Sequence, residues 1–205
     1  MRLWKTASLT LAAIVVVVAG YGLALVRRGF SARGVPSFVE KFAATTALKW
    51  ALPHDYRQLH NPFPPSPGNV QAGMEHFSDH CATCHANDGS GDTLFGKGLY
   101  PKPPDMRSAE TQNKSDGELY YTIENGVRLS GMPAFGEEQG VGSDAETWHL
   151  VLFIRHLPHI TSEELNEMKG LNPKTDADRE EEQQEEEFLK GGEPSQNPAG
   201  EIHHH

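Results

Sequence analysis

The 205-residue chain carries a formal net charge of −10, and only 37% of its residues are hydrophobic. With 14 prolines and 20 glycines it contains much loop, so it can supply one small packed domain with appendages. Residues 69–160 carry 6 Lys or Arg against 13 Asp or Glu, and this acidic balance excludes a basic face for nucleic acid.

The first predicted element is a membrane anchor formed by residues 1–28. An apolar run from Thr6 to Val26 is followed by Arg27 and Arg28, with basic residues before it as well. About 21 residues at about 1.5 Å each span about 30 Å, the thickness of a bilayer's hydrocarbon core. A signal peptide is the alternative, but its apolar part is usually only about 7–15 residues long and ends at small residues. The sequence favours the anchor.

Residues 29–68 predict a short amphipathic helix and a Pro-rich linker. Phe38, Phe42 and Trp50 fall at roughly helical spacing. This helix either lies along the lipid headgroups or packs against the main domain, and the sequence leaves both open. The stretch HNPFPPSPGN, residues 60–69, is typical of an extended spacer.

The main domain, residues 69–160, is predicted to be all-α because no alternating strand pattern occurs in it. Asn69 is a fair N-cap for a first helix, whose face bears Val70, Met74, Phe77 and Cys81. Capping boxes start two more helices, at Ser115 with Glu118 and at Ser143 with Glu146. Gly126 is expected to end the helix that starts at Ser115, and Pro158 to stop the helix that starts at Ser143.

Residues 161–205 are predicted to be an acidic, largely disordered tail. A third capping box, Thr161 with Glu164, starts a short helix there. The rest is a charge run that ends in His203, His204 and His205. These three histidines are a speculative second metal site, since such a cluster can bind Cu(II), Ni(II) or Zn(II).

The two cysteines of the chain stand in the sequence HCATCH, as Cys81 and Cys84 with His85 directly after. A structural zinc site needs a second ligand pair, which is missing, and a thioredoxin-like redox pair needs a preceding strand. C-x-x-C-H is the signature of covalently attached haem c. The pattern therefore predicts two thioether bonds and His85 as an iron ligand, with His80 a bystander. Such attachment occurs outside the cytoplasm, so residues 29–205 are expected on the outer side of the membrane.

Met132 is the favoured second iron ligand. It lies in a loop between two predicted helices, where Gly131 permits close backbone approach and Pro133 fixes the chain direction. The other methionines are expected elsewhere: Met74 in the core, Met106 packing on the haem edge, and Met168 outside the domain. His149 and His156 are expected to be ordinary packing or surface histidines.

The ordered motifs CATCH, NDGSGD, PKPPDMR, DGELYYTIENG, GMPAF and ETWHLVLFIRHL resemble a class I cytochrome c of the small bacterial monohaem type, across residues 70–158. The resemblance implies a compact helical fold around one covalently bound haem c. It implies that the first and last helices cross near the haem edge. Gly73 and Phe77 would then meet the face of Trp148 and Leu152.

The same resemblance implies further site residues. Met132 would be the axial ligand opposite His85, and the carbonyl of Pro103 or Pro104 would accept a hydrogen bond from Nδ1 of His85. Three more residues are plausible neighbours of the haem or its propionates: Tyr120, Arg128 and Trp148.

His/Met ligation fills both axial positions, which favours electron transfer over catalysis. The expected protein is a non-enzymatic one-electron carrier without a small-molecule substrate. It would be tethered by a single pass to a bacterial cytoplasmic membrane, with its haem domain on the periplasmic side. Its partners would be respiratory redox proteins, a quinol-oxidising complex and a terminal oxidase or reductase. The alternatives are a fixed haem subunit serving as the electron port of a larger respiratory or dehydrogenase complex, and a haem-based gas sensor.

Overall fold

The fold was obtained as a computed structural model, which describes residues 2–29, 31–136 and 140–174 and the single residues 179, 184, 186 and 189. These residues form helices, turns and loops without a strand, which confirms the all-α class. The helices are α1 (Arg2–Arg28), α2 (Phe38–Ala51), α3 (His54–Arg57), α4 (Pro67–His76), α5 (Ala82–His85), α6 (Leu94–Gly98), α7 (Ala109–Gln112), α8 (Asp116–Asn125), α9 (Ala145–His156) and α10 (Ser162–Leu171). A π-helical segment, Phe77–Cys81, joins α4 to α5, and a 3₁₀ turn, Leu157–His159, follows α9.

Helix α1 has the length and composition of a membrane span. Its segment Trp4–Arg27 is 24 residues long, and none of it is buried within the described chain. Most apolar side chains of α1 are therefore exposed in the described part of the protein. This is compatible with a single-pass anchor, although a signal sequence has the same properties.

Helices α4 and α9 cross at Gly73 and form the centre of the fold. A Cβ built on Gly73 would collide with the carbonyl group of His149 and lie 2.9 Å from Cβ of Phe153. The rings of Phe77 and Phe153 pack beside this crossing, with centroids 5.1 Å apart. The predicted crossing is thus present, but its partners at Gly73 and Phe77 are His149 and Phe153 rather than Trp148 and Leu152.

The helix starts follow local capping chemistry. Ser115 with Glu118 and Thr161 with Glu164 form the predicted capping boxes. The other two starts differ. Helix α4 begins after Ser66, whose hydroxyl accepts from the N–H of Asn69, so Asn69 is not the cap. Helix α9 begins after Asp144 instead of Ser143, because the Asp144 carboxylate accepts from the Glu146 N–H.

Helix α10 is part of the packed domain, which corrects the expected boundary at residue 160. Met168 is completely buried and belongs to the main apolar core, with Leu165 packed against it. When the side-chain amide nitrogen of Asn172 faces the surrounding carbonyl oxygens, it donates to the carbonyl of Ser78 in the π-helical segment. Met168 was expected outside the domain because the sequence pattern weakens after Pro158, yet Thr161 restarts a helix that folds back onto the core.

The segment between α2 and α4 also packs on the domain instead of forming a free spacer. Leu52 is buried, and Tyr56 stacks edge-on against Tyr121 with ring centroids 4.9 Å apart. The side-chain amide of Asn61 donates to the carbonyl of Trp148 over 2.8 Å. Phe63 lies against the ring of His149, with centroids 4.7 Å apart. Proline content predicts extended backbone, but these aromatic and amide contacts hold the extended backbone against the helices.

Candidate haem site

A cleft with about 490 Å³ of empty space brings the main predicted site residues together. Cys81, Cys84 and His85 line it from α5 and the residue before that helix, and Met132 lines it from the loop after α8. The cleft thus unites two segments that are 47 positions apart in the sequence.

The cysteine segment is placed by the helix that enters the cleft. Helix α4 widens into a π-helical turn at Phe77–Cys81 and returns to α-helical geometry at Ala82. Ser78, which is fully buried, donates its hydroxyl to the carbonyl of Met74 at 2.7 Å. Insertions of this kind are frequent at functional sites because they shift the register of the side chains that follow. Here the shift directly precedes Cys81.

His85 is buried, and its chemistry suits a metal ligand. Burial lowers its pKa from 6.5 to about 4, so the imidazole is neutral near pH 7, as iron coordination requires. Its Nδ1 is buried without a hydrogen-bond partner. The expected bond to the carbonyl of Pro103 or Pro104 is therefore not formed. Pro103 lies close by, against Gly91, whose N–H donates to the His85 carbonyl at 2.8 Å.

The two thiols do not have the properties of a redox pair. Cys81 and Cys84 are both free, and burial, with a smaller contribution from Cys84, raises the pKa of the Cys81 thiol to about 12. Redox-active cysteines have lowered pKa values, because the thiolate is the reactive form. The raised pKa of Cys81 therefore argues against a redox role, and two free thiols at the wall of an apolar cleft fit covalent haem attachment better.

The Met132 loop is held over the cleft by backbone hydrogen bonds. The Met132 N–H donates to the Ser130 hydroxyl at 3.1 Å, and the Met132 carbonyl accepts from the Val127 N–H at 3.1 Å. Gly126 adopts a φ of +64°, and a Cβ there would lie 2.5 Å from the Pro133 carbonyl carbon. Gly126 therefore both ends α8 and lets the loop fold back across the helix end. The thioether is one of the standard axial ligands of haem iron.

Residues 68–154 match the family model of cytochrome c oxidase, cbb3-type, subunit III. These residues form a cytochrome c domain. A chain of the reducing HAO-like protein complex of Kuenenia stuttgartiensis is 25% identical to this one, with a TM-score of 0.42. That match covers 47% of this chain and 46% of the solved one. A comparison with curated proteins returned no match.

A cytochrome c domain binds haem c covalently, and the walls of this cleft fit such a group. The cleft's remaining apolar lining comes from Phe77, Met106, Ile123, Phe135, Leu150 and Ile154. Leu150 and Ile154 are one helical turn apart on α9 and are both buried. Sequence analysis had missed most of these wall residues. The second apolar stripe of α9, beside the one that packs on α4, was the available signal for Leu150 and Ile154.

Several predicted haem neighbours of the cytochrome c domain do not line the cleft. Tyr120 and Trp148 are core residues, stacked on each other with ring centroids 4.2 Å apart. Trp148 donates its indole N–H to the Gly142 carbonyl at 3.0 Å. Arg128 is exposed, and neither it nor the predicted prolines lie among the lining residues.

The other methionines and histidines for which the sequence made predictions are placed as follows. Met74 is in the core, as predicted, and Met106 lines the cleft in which the haem is expected. His156 bonds to Glu164 at 2.8 Å, a packing role as predicted. His80, expected to be a bystander, lies at the edge of the cleft. The proposed metal site at His203, His204 and His205 lies outside the described residues.

Proposed function

We propose that this protein is a membrane-attached electron carrier that passes single electrons between respiratory redox proteins. The main support is that one apolar cleft of a cytochrome c domain is lined by Cys81, Cys84, His85 and Met132. A haem c held there supplies a one-electron iron couple. The partners are a quinol-oxidising complex on one side and a terminal oxidase or reductase on the other.

Each residue has a distinct role in this proposal. Cys81 and Cys84 would hold the haem through thioether bonds, and His85 and Met132 would supply the ligands of its iron. Ile123, Leu150 and Ile154 exclude water from the cleft and thereby raise the cost of changing charge there, which tunes the potential. With both His85 and Met132 as ligands, the iron would have no position left for a substrate, so we propose no turnover of its own for this protein.

Our proposal locates the cytochrome c domain on the outer side of a bacterial cytoplasmic membrane. The length and composition of α1 support single-pass attachment. Covalent haem attachment outside the cytoplasm supports a periplasmic location for the domain. The first test is voltammetry and activity measurement on the intact protein. We expect one reversible one-electron couple and no peroxidase or nitrite-reducing turnover. Substantial turnover by the native protein would refute the assignment.

A fixed subunit of a larger respiratory complex is the second candidate. The description of the matching family, an oxidase subunit, favours it. Gentle solubilisation of native membranes distinguishes the two roles. A carrier is recovered alone, and a fixed subunit is recovered with stoichiometric partners. Carbon monoxide binding to the reduced native protein serves as a further control, because tight binding would show an open iron position and support a gas sensor instead.

A further inference from the structure

Helix α2 exposes an apolar face that nothing in the described chain covers. The aromatic face of α2, as we call it, consists of Phe38, Val39, Phe42 and Trp50, which are 84%, 64%, 62% and 81% exposed. At 3.6 residues per turn these four positions fall within an arc of about 120° on one side of the helix. The rings of Phe38 and Phe42 stack on each other with centroids 6.4 Å apart. Within the same arc the helix also carries the half-buried Thr46 and the exposed Lys49, so the apolar positions are interspersed with polar ones. Exposed apolar side chains clustered in this way mark an interaction site.

The domain cannot cover this face, because α2 is attached to it from the other side. The ammonium group of Lys41 pairs with Glu110 at 2.8 Å. Arg57, from the segment packed on the domain, donates to the carbonyls of Lys49 and Leu52 at 2.8 and 3.1 Å. Leu52, directly after the helix, is buried. The aromatic face therefore points away from the cytochrome c domain.

Two features identify a lipid surface as the partner of the aromatic face. Only residues 29–37 separate α2 from α1, and at about 3.3–3.6 Å per residue they reach about 30 Å at most. The charge is also suitable, since residues 1–68 carry 8 Lys or Arg against 2 Asp or Glu, whereas residues 69–160 are acidic. Helices that lie in the membrane interface combine aromatic residues on one face with basic residues beside it.

We propose that the aromatic face of α2 lies in the headgroup region of the membrane and holds the cytochrome c domain on the bilayer in one orientation. The contacts of Lys41 and Arg57 transmit the orientation of α2 to the domain. The haem cleft then keeps a constant direction relative to the membrane plane. This inference rests on the membrane attachment in the proposed function and adds to it the direction in which the site faces.

Spin labelling of the full-length haem protein in lipid vesicles tests the proposal. Once haem occupies Cys81 and Cys84, an introduced cysteine is the only free thiol, and the haem spectrum confirms folding of each variant. Phe42→Cys reports on the aromatic face, and Ala44→Cys is the matched control on the other side of the same helix, also exposed. Ala13→Cys reports on α1. The vesicles contain phosphatidylcholine with or without phosphatidylglycerol.

We expect the label at position 42 to collide more with oxygen, which concentrates in lipid, and the label at position 44 to collide more with a water-soluble nickel complex. Val39→Cys should behave like position 42. If position 13 is in lipid and position 42 is in water, the membrane attachment by α1 is supported and the inference about α2 is wrong. If position 13 is in water, both the attachment and the inference are wrong. Shielding of position 42 from both reagents means that protein covers the face, which also overturns the inference.

Discussion

Replacement of Gly73 by alanine tests the helix crossing on which the haem site is built. The added Cβ would meet the carbonyl carbon of His149 at 2.6 Å and Cβ of Phe153 at 2.9 Å. Both neighbours are rigid, so α4 and α9 must separate. Overpacking of a core costs about 1–3 kcal/mol. The gain in helix propensity on replacing glycine by alanine, about 0.5–1 kcal/mol, offsets only part of this cost.

The measurement is thermal unfolding of the haem protein, followed by circular dichroism and by the haem spectrum. For a domain of this size, a net loss of about 1 kcal/mol lowers Tm by about 4–8 °C. Gly68→Ala is the matched control on the same helix, because nothing lies within 4 Å of its Cβ position. It should leave Tm unchanged or raise it slightly. If Gly73→Ala and Gly68→Ala unfold at the same temperature, the close crossing is wrong.

Three further predictions concern the proposed iron ligand and α10. Met132→Ala should open an iron position, lower the potential and let the reduced protein bind carbon monoxide; an unchanged spectrum, as expected for Met106→Leu, would exclude Met132 as ligand. Met168→Ala should cost about 2–5 kcal/mol in urea unfolding because the side chain is fully buried, whereas Leu171→Ala, 38% exposed, should cost much less; equal effects would place α10 outside the domain. Burial acts to raise the pKa of the Glu164 carboxyl, but hydrogen bonds to the helix cap lower it overall. Its charge therefore stabilises the fold above about pH 4.5, and this contribution is lost as pH falls through the lowered pKa, so Glu164→Gln should flatten that part of the stability profile.

The sequence predicts local features of this protein well, because they depend on residues that are close in the chain. The capping boxes at Ser115 and Thr161 are present, as is the glycine at the end of α8. The grouping of Cys81, Cys84 and His85 also follows from one helical turn. The prediction that Ser143 caps α9 was wrong because the adjacent Asp144 competes for the same backbone N–H groups. The Asp144 carboxylate accepts from the N–H of Glu146 and from the Thr147 hydroxyl, while the Ser143 hydroxyl donates to a carbonyl of the preceding turn.

Long-range packing is what the sequence does not predict. Met168 was placed outside the domain because no local pattern links it to the core, although its side chain is completely buried there. Tyr120 and Trp148 are residue types that often surround a haem, yet their rings pack against each other in the core. The Tyr120 hydroxyl accepts a hydrogen bond from the Asp144 N–H. Aromatic side chains pack equally well against a haem or in a protein core, and only the tertiary contacts show which of the two places they occupy.

The packing of residues 52–63 changes the expected mobility of the haem domain. If residues 29–68 were all a free spacer, an extended chain of forty residues could reach about 130 Å. Because Leu52, Asn61 and Phe63 are held against the domain, only residues 29–37 remain as the connection from α1 to α2, and these reach about 30 Å. With so short a tether, the membrane attachment proposed above would keep the domain within about its own diameter of the bilayer. Electron exchange then requires that donor and acceptor present their redox sites close to the same membrane surface, and encounter depends on lateral diffusion or on a stable complex rather than on the swing of a long linker.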